Sequence, residues 1–396
     1  MKRSRLVFLL GSICAASIAL TISACGDDDA IVRQRPDAGS GDAQPNTDSS
    51  DQDTGLLGCG VTVPTTYDST GYTTNAAVEL SLKEHLEDIE NKMKEAEGVD
   101  AGSPTANDVS TIFSAGTPSL RAVATSNAQT LVDGYIANFG AAVGQTWSPD
   151  IAAAADGGPP TGGSFDADLF GPTGVDLRET TVKILLTGAL YNHALGIASA
   201  PLTTASVDRL LALFGASPSL ANRTDADAGD LADELVAEYA SRRDNDNAPT
   251  GPYRKIRQAL LTLKATVPAG DKCKKETDEA IATYFQQWEI ASLSTSIFYL
   301  NAAVNNAIAG DKKRQALHGF GEALGFIQGW KGIPQEKRKI TDAQVDALLT
   351  KIGADSPYKL ITEVGTRGLQ LNGAINDIAV IYGFSAAEVE AFKTNF

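Results

Sequence analysis

Two histidines and two glutamates on predicted helices are the side chains of this sequence best suited to chemistry. At about 100° per residue, His193 falls on the apolar stripe of its predicted helix, and Glu289 lies beside the stripe of another. His318 and Glu322 are one helical turn apart on a face of small residues. Imidazole and carboxylate groups that project into a helical bundle are ligands for iron or zinc. In the functional interpretation, these four residues converge between helices as a metal site.

The same residues have a structural interpretation, which the sequence favours. His193 is then a core histidine bonded to a hydroxyl or carbonyl group, and Glu289 is held by an arginine or a helix end. The row Gly321, Gly325 and Gly329 then only lets two helices approach closely. In either interpretation Glu289 needs a partner, because burying an unpaired ionised carboxylate is very costly.

Motifs of familiar enzymes are missing from the sequence. It contains no HExxH zinc motif, no phosphate-binding glycine loop followed by Lys-Ser/Thr, no Gly-x-Ser-x-Gly elbow and no Cys-x-x-Cys-His haem motif. The formal net charge of −16 argues against nucleic acid and anionic lipid surfaces as partners. We therefore expect a binding protein rather than an enzyme.

The N-terminus has the order of a secretory signal. Basic residues at positions 2, 3 and 5 precede an apolar run over 6–22, which ends in Ser23-Ala24-Cys25. This ending resembles the lipobox of bacterial lipoproteins, in which the cysteine becomes the acylated N-terminus. We predict a signal peptide over 1–24 and a membrane anchor of lipid on Cys25. A signal peptide cut beside an ordinary cysteine, or an uncleaved anchor, is the alternative.

An acidic segment over 25–57 follows the predicted anchor. It has almost no aromatic or branched apolar residues, so burial cannot offset its ordering entropy, and we predict a disordered linker. Gly26 and the three aspartates after it resemble export signals of some surface lipoproteins. This favours the outer membrane of the cell envelope and leaves its periplasmic or surface side open.

Two cysteines remain in the predicted mature domain, Cys59 and Cys273. The oxidising envelope favours a disulfide between them, and two unrelated thiols are the alternative.

Positions 58–396 show helical periodicity and no convincing alternating strand pattern. We predict one all-α helical bundle domain, with two packed bundles divided near 157–174 as the variant of this fold. The predicted helices cover 76–97, 119–143, 178–199, 206–214, 228–243, 252–267, 274–309, 311–329, 342–351, 357–382 and 386–394.

A family resemblance rests mainly on motifs of the C-terminal half. These motifs are Tyr239-Ala-Ser-Arg242-Arg-Asp244, Trp288-Glu289, Ile297-Phe298-Tyr299-Leu300-Asn301, His318-Gly-Phe-Gly-Glu322 and Lys339-Ile-Thr-Asp-Ala-Gln344. Together they resemble the envelope lipoproteins called domain of unknown function 4856. The resemblance implies an all-helical fold similar to the imelysin-like proteins, which are often encoded beside iron-acquisition components. The Gly-x-His-x-x-Glu motif of imelysins is not present, since His318 and Glu322 are one residue further apart and Ala316 stands two positions before His318.

Three functions follow as expectations, in order of preference. The first is a non-enzymatic binding lipoprotein that assists uptake of iron or a metal complex. The second is a metallopeptidase-like hydrolase that uses a histidine ligand and a glutamate base. The third is a helical scaffold that docks an outer-membrane receptor or complex.

Overall fold

The computed structural model describes residues 55–98, 101–155, 161–220, 233–244 and 251–394 of the chain. The predicted signal peptide, Cys25 and the predicted linker up to position 54 lie outside the described residues. The regular secondary structure of the described part is helical apart from one short hairpin, which confirms the predicted all-α class. Within this part, no helix is both long and apolar enough to span a membrane.

The elements follow one another as an irregular helical bundle. The α-helices are α1 Tyr72–Asn75, α2 Ala77–Lys94, α3 Ala106–Phe113, α4 Leu120–Val123, α5 Ser126–Ala142, α6 Pro149–Ala154, α7 Leu177–Leu185, α8 Asn192–Ala198, α9 Thr204–Phe214, α10 Leu235–Arg243, α11 Pro252–Thr266, α12 Lys274–Ala309, α13 Lys313–Gln328, α14 Asp342–Ile352, α15 Lys359–Thr362, α16 Val364–Tyr382 and α17 Ala386–Phe392. A π-helix over Leu186–Tyr191 joins α7 to α8, and 3-10 helices lie at Val267–Cys273 and Gln335–Lys337. The antiparallel strands are β1 Gly163–Phe165 and β2 Asp168–Phe170.

Local signals fix several helix ends. Thr341 and Ser385 form the predicted capping boxes of α14 and α17, each accepting a hydrogen bond from the third helical residue. The predicted helix 119–143 is instead two helices, because Thr125 adopts an extended conformation, caps α5 and donates its N–H to the Gly188 carbonyl. The predicted helix 228–243 begins at Leu235 within the described residues.

The row of glycines on α13 lets this helix lie close against α7. A Cβ atom built on Gly321 would lie 2.8 Å from the Asp176 Cβ, and one on Gly325 would lie 2.7 Å from both the Lys183 Cβ and the Thr180 carbonyl oxygen. Real Cβ atoms do not approach that closely, so only glycine permits this spacing. The contact brings the polar side chains of both helices together.

The predicted disulfide is present. Cys59 and Cys273 are joined with a sulfur–sulfur distance of 2.04 Å and a Cα–Cα distance of 5.2 Å. The bond ties the start of the described chain to the residue before the 36-residue helix α12. Helix α12 packs against α11, α13 and α16, so the disulfide fastens the N-terminal segment to the centre of the bundle.

Candidate functional site

A buried cluster of charged side chains surrounds His318, where α7, α13 and β2 meet. Helix α13 contributes a row at four-residue spacing, so that successive side chains share one face. Helix α7 contributes the facing row, beginning with the residue that caps its N-terminus, and β2 contributes one aspartate. The members are Asp168 of β2, Asp176, Glu179 and Lys183 of the α7 region, and Arg314, His318 and Glu322 of α13.

Carboxylates lie on both sides of the His318 ring. On one side, Nδ1 is 3.0 Å from Asp176 Oδ2 and 3.7 Å from Asp168 Oδ2. On the other side, Nε2 is 3.4 Å from Glu322 Oε1. The ligand atoms of Glu179, His318 and Glu322 all lie within 4.8 Å of one another, and so do those of Asp168, Asp176 and His318. Each set has the donor types and spacing that could hold a metal ion.

Lysine and arginine side chains neutralise part of this negative charge. Lys183 Nζ lies 2.7 Å from Glu179 Oε2 and 3.7 Å from Glu322 Oε2. Arg314 Nη1 lies 3.0 Å from Asp168 Oδ2. Arg178 pairs with Glu179 and lies 3.0 Å from Glu97 Oε2. The cluster therefore extends from the His318 ring to the start of α7.

Negative charge nevertheless exceeds positive charge among the described members of the cluster. Its six largely buried carboxyl groups belong to Glu90, Glu97, Asp168, Asp176, Glu179 and Glu322, and its three guanidinium or ammonium groups belong to Arg178, Lys183 and Arg314. Protons offset part of this excess, because the pKa of Glu97 is raised to about 8 and the pKa of His318 is raised well above its usual value.

One carboxylate oxygen of the cluster is left without a hydrogen bond. Glu322 is 3% exposed, and its Oε2 atom is buried with no hydrogen-bond partner. Lys183 Nζ, at 3.7 Å, is beyond hydrogen-bond distance. A buried acceptor without a donor costs free energy, so this oxygen has the capacity to accept a further ligand.

The pKa values record the same imbalance. Burial raises the pKa of Asp168 to about 6, and it raises the pKa of Glu322 above its usual value. Burial alone would also raise the pKa of Glu179, but the charges of Arg178 and Lys183 hold it well below its usual value. For His318, burial is outweighed by hydrogen bonds to Asp176 and Glu322, so its pKa is raised well above normal. A bound metal ion would take the place of that proton.

The sequence-predicted four-residue metal site is not assembled as predicted. His318 and Glu322 do come together, but neither His193 nor Glu289 belongs to a group of three or more metal-ligand side chains among the described residues. His193 Nε2 instead lies 3.0 Å from Glu79 Oε1, which also accepts hydrogen bonds from Arg209. The expected hydroxyl or carbonyl partner of His193 is thus a carboxylate.

Glu289 accepts hydrogen bonds from the backbone just before helix α14. Its carboxylate accepts hydrogen bonds from the backbone N–H groups of Lys339 and Ile340 and from the Tyr382 hydroxyl, at 2.5 to 3.0 Å. Lys339 and Ile340 immediately precede the N-cap of α14, so Glu289 is held by the loop that leads into this helix, not by an arginine or by the helix end itself.

Sequence reasoning missed Asp168, Asp176, Glu179 and Lys183 as members of the site. A local signal existed for part of the set: Asp176 and Glu179 are spaced as an N-cap and its third helical residue, and Lys183 follows one turn after Glu179. That pattern is also typical of an exposed helix start, so it did not indicate burial against the α13 glycine row.

No known protein family, curated protein or solved structure was found to match the chain.

Proposed function

We propose that this chain is an envelope lipoprotein whose helical domain binds a divalent metal ion at the His318 cluster, as a non-enzymatic module in metal acquisition. The convergence of the His318 ring with buried carboxylates on both of its sides, together with a buried Glu322 oxygen that has no hydrogen bond, is the observation that supports the proposal. Imidazole and carboxylate groups held this close together are the ligands that divalent metal ions use in proteins, so a cation could bind among them.

The donor set indicates the class of ion. Imidazole nitrogen suits iron, zinc, copper and nickel, whereas an all-oxygen set suits calcium or magnesium. One imidazole among several carboxylates therefore favours iron(II) or zinc(II). The disulfide between Cys59 and Cys273 is consistent with an oxidising compartment, which supports the proposed envelope location.

The remaining sequence predictions complete the proposal. Lipid on Cys25 would anchor the domain to the outer membrane, and the acidic segment 25–57 would carry it away from the surface. Membership in the imelysin-like lipoproteins stays a prediction. No feature of the described residues specifically favours the hydrolase or the scaffold alternative.

Equilibrium dialysis tests the proposal. The purified protein is stripped with chelator, dialysed separately against iron(II), zinc(II) and calcium(II), and analysed for metal content. We expect one equivalent of iron or zinc in the wild type, and loss of this binding in His318→Gln. His193→Gln is the matched control, because His193 is also a half-buried histidine bonded to a buried glutamate, and it should bind as the wild type does. No bound metal in the wild type, or equal loss in both variants, would contradict the proposal.

A further inference from the structure

Lys183 lies where a metal ion would have to bind in order to contact Glu322 Oε2, the oxygen without a hydrogen bond. Its ammonium group lies between the carboxylates of Glu179 and Glu322, 2.7 Å from Oε2 of the first and 3.7 Å from Oε2 of the second. These two carboxylates and His318 form one of the two ligand groups around the ring. Lys183 is 4% exposed, so water does not screen its charge from these groups.

The two nitrogens of the His318 ring differ in how closely a hydrogen-bond partner approaches them. Nδ1 makes a hydrogen bond of 3.0 Å with Asp176 Oδ2, while the other Asp176 oxygen accepts the Glu179 N–H. Nε2 makes the longer contact, 3.4 Å to Glu322 Oε1. A metal-binding histidine ordinarily donates its second ring N–H to a carboxylate, which fixes the ring and makes the free nitrogen a better ligand. Asp176 is placed for that role, which leaves Nε2 to face the ion.

Distances on the Nε2 side suit a small ion. Ligands about 2.1 Å from a metal are about 3.0 Å apart at octahedral angles and about 3.4 Å apart at tetrahedral angles. The 3.4 Å between His318 Nε2 and Glu322 Oε1 falls in this range.

We propose that Lys183 is a built-in competitor for the metal: its ammonium group fills the site in the metal-free protein, and an ion bound by His318 Nε2, Glu179 and Glu322 displaces it. This inference rests on the proposed metal-binding function. No covalent bond changes, because the ion and the ammonium group exchange as counter-ions of the same carboxylates.

The ammonium group already contacts an aromatic ring that can retain it after it leaves Glu179. Lys183 Nζ lies 5.4 Å from the centroid of the Tyr239 ring, within the range of a cation–π contact. Glu179 keeps its pairing with Arg178 after the lysine leaves, so the carboxylate remains ionised and oriented for the metal. The apparent affinity is then the intrinsic affinity multiplied by the fraction of molecules in which Lys183 has moved aside.

Removing the ammonium group is the direct test, with zinc(II) as the probe in isothermal titration of the chelator-stripped protein. If Lys183 is displaced in about a tenth of molecules or fewer, Lys183→Met should bind zinc at least about tenfold more tightly than the wild type. Lys264→Met is the matched control. Lys264 is another largely buried lysine, 2.6 Å from Asp208 in a different part of the bundle, and its loss should leave zinc affinity unchanged.

A crystal structure of the zinc-soaked wild type provides a second test that does not depend on the folding of Lys183→Met. We expect anomalous density about 2.1 Å from His318 Nε2, with Lys183 Nζ moved away from Glu179 towards Tyr239. Zinc on the Nδ1 side, Lys183 still paired with Glu179, or unchanged affinity in a folded Lys183→Met variant would overturn the inference and leave metal binding intact. Absence of any zinc binding in the wild type would instead defeat the proposed function itself.

Discussion

Replacing Gly325 with alanine should force α7 and α13 apart and disturb the candidate metal site without touching any of its ligands. The new Cβ would lie 2.7 Å from both the Lys183 Cβ and the Thr180 carbonyl oxygen, neither of which is the end of a flexible chain. Overpacking of this kind costs about 1–3 kcal/mol, and the better helix propensity of alanine returns about 1 kcal/mol. We expect a net loss of up to about 2 kcal/mol in the free energy of unfolding.

The same helix provides a matched control for this substitution. A Cβ on Gly319 would have its nearest neighbour at 3.4 Å, an ordinary contact, so Gly319→Ala should be neutral or stabilise by up to about 1 kcal/mol. Urea unfolding of the metal-free proteins measures the stabilities, and zinc titration measures the affinities. Only Gly325→Ala should lose affinity, because it moves His318 and Glu322 relative to Glu179. Equal stability and equal affinity of the two variants would refute the idea that close helix approach builds the site.

Three further predictions concern the disulfide, the second glutamate and pH. Replacing Cys59 and Cys273 together with serine should lower the free energy of unfolding by up to about 5 kcal/mol in urea, because the bond closes a loop of 214 residues in the unfolded chain; an unchanged midpoint would contradict this. Glu289→Gln should destabilise the fold by about 2–3 kcal/mol, because its remaining oxygen is uncharged and its NH2 group cannot accept from the Lys339 N–H, yet it should leave zinc affinity unchanged in titration. Burial raises the pKa of Glu97 from 4.5 to about 8, so between about pH 5 and 8 the folded protein holds a proton that the unfolded chain has lost. Its stability in urea should therefore fall as pH rises, by at most about 1.4 kcal/mol per pH unit, and more steeply than in Glu97→Gln; parallel pH profiles would contradict this.

Local patterns in the sequence were sufficient for the elements that depend on them. The bounds of α12, the capping boxes of Thr341 and Ser385, and the class of the fold all follow from periodicity and neighbouring residues. The disulfide was predictable because Cys59 and Cys273 are the two cysteines left after the predicted lipid anchor. The short hairpin of β1 and β2 was not predicted, since three-residue strands leave no detectable alternation.

The candidate site was predictable only where its residues share one helix. His318 and Glu322 are one turn apart, so their common face follows from helix geometry alone. Their partners on α7 and β2 lie about 140 residues earlier, and helical periodicity gives the face of each side chain but not which helix packs against it. For the same reason His193 was grouped with His318, whereas the fold pairs it with Glu79.

Metal binding by the two glutamates that the sequence grouped together tests the central claim most directly. Purified wild-type protein, Glu322→Gln and Glu289→Gln would be stripped, titrated with zinc(II) or iron(II), and compared for stoichiometry and affinity. We predict one equivalent bound by the wild type and by Glu289→Gln, with binding lost in Glu322→Gln. Full binding by Glu322→Gln, or none by the wild type, would contradict a metal site at His318.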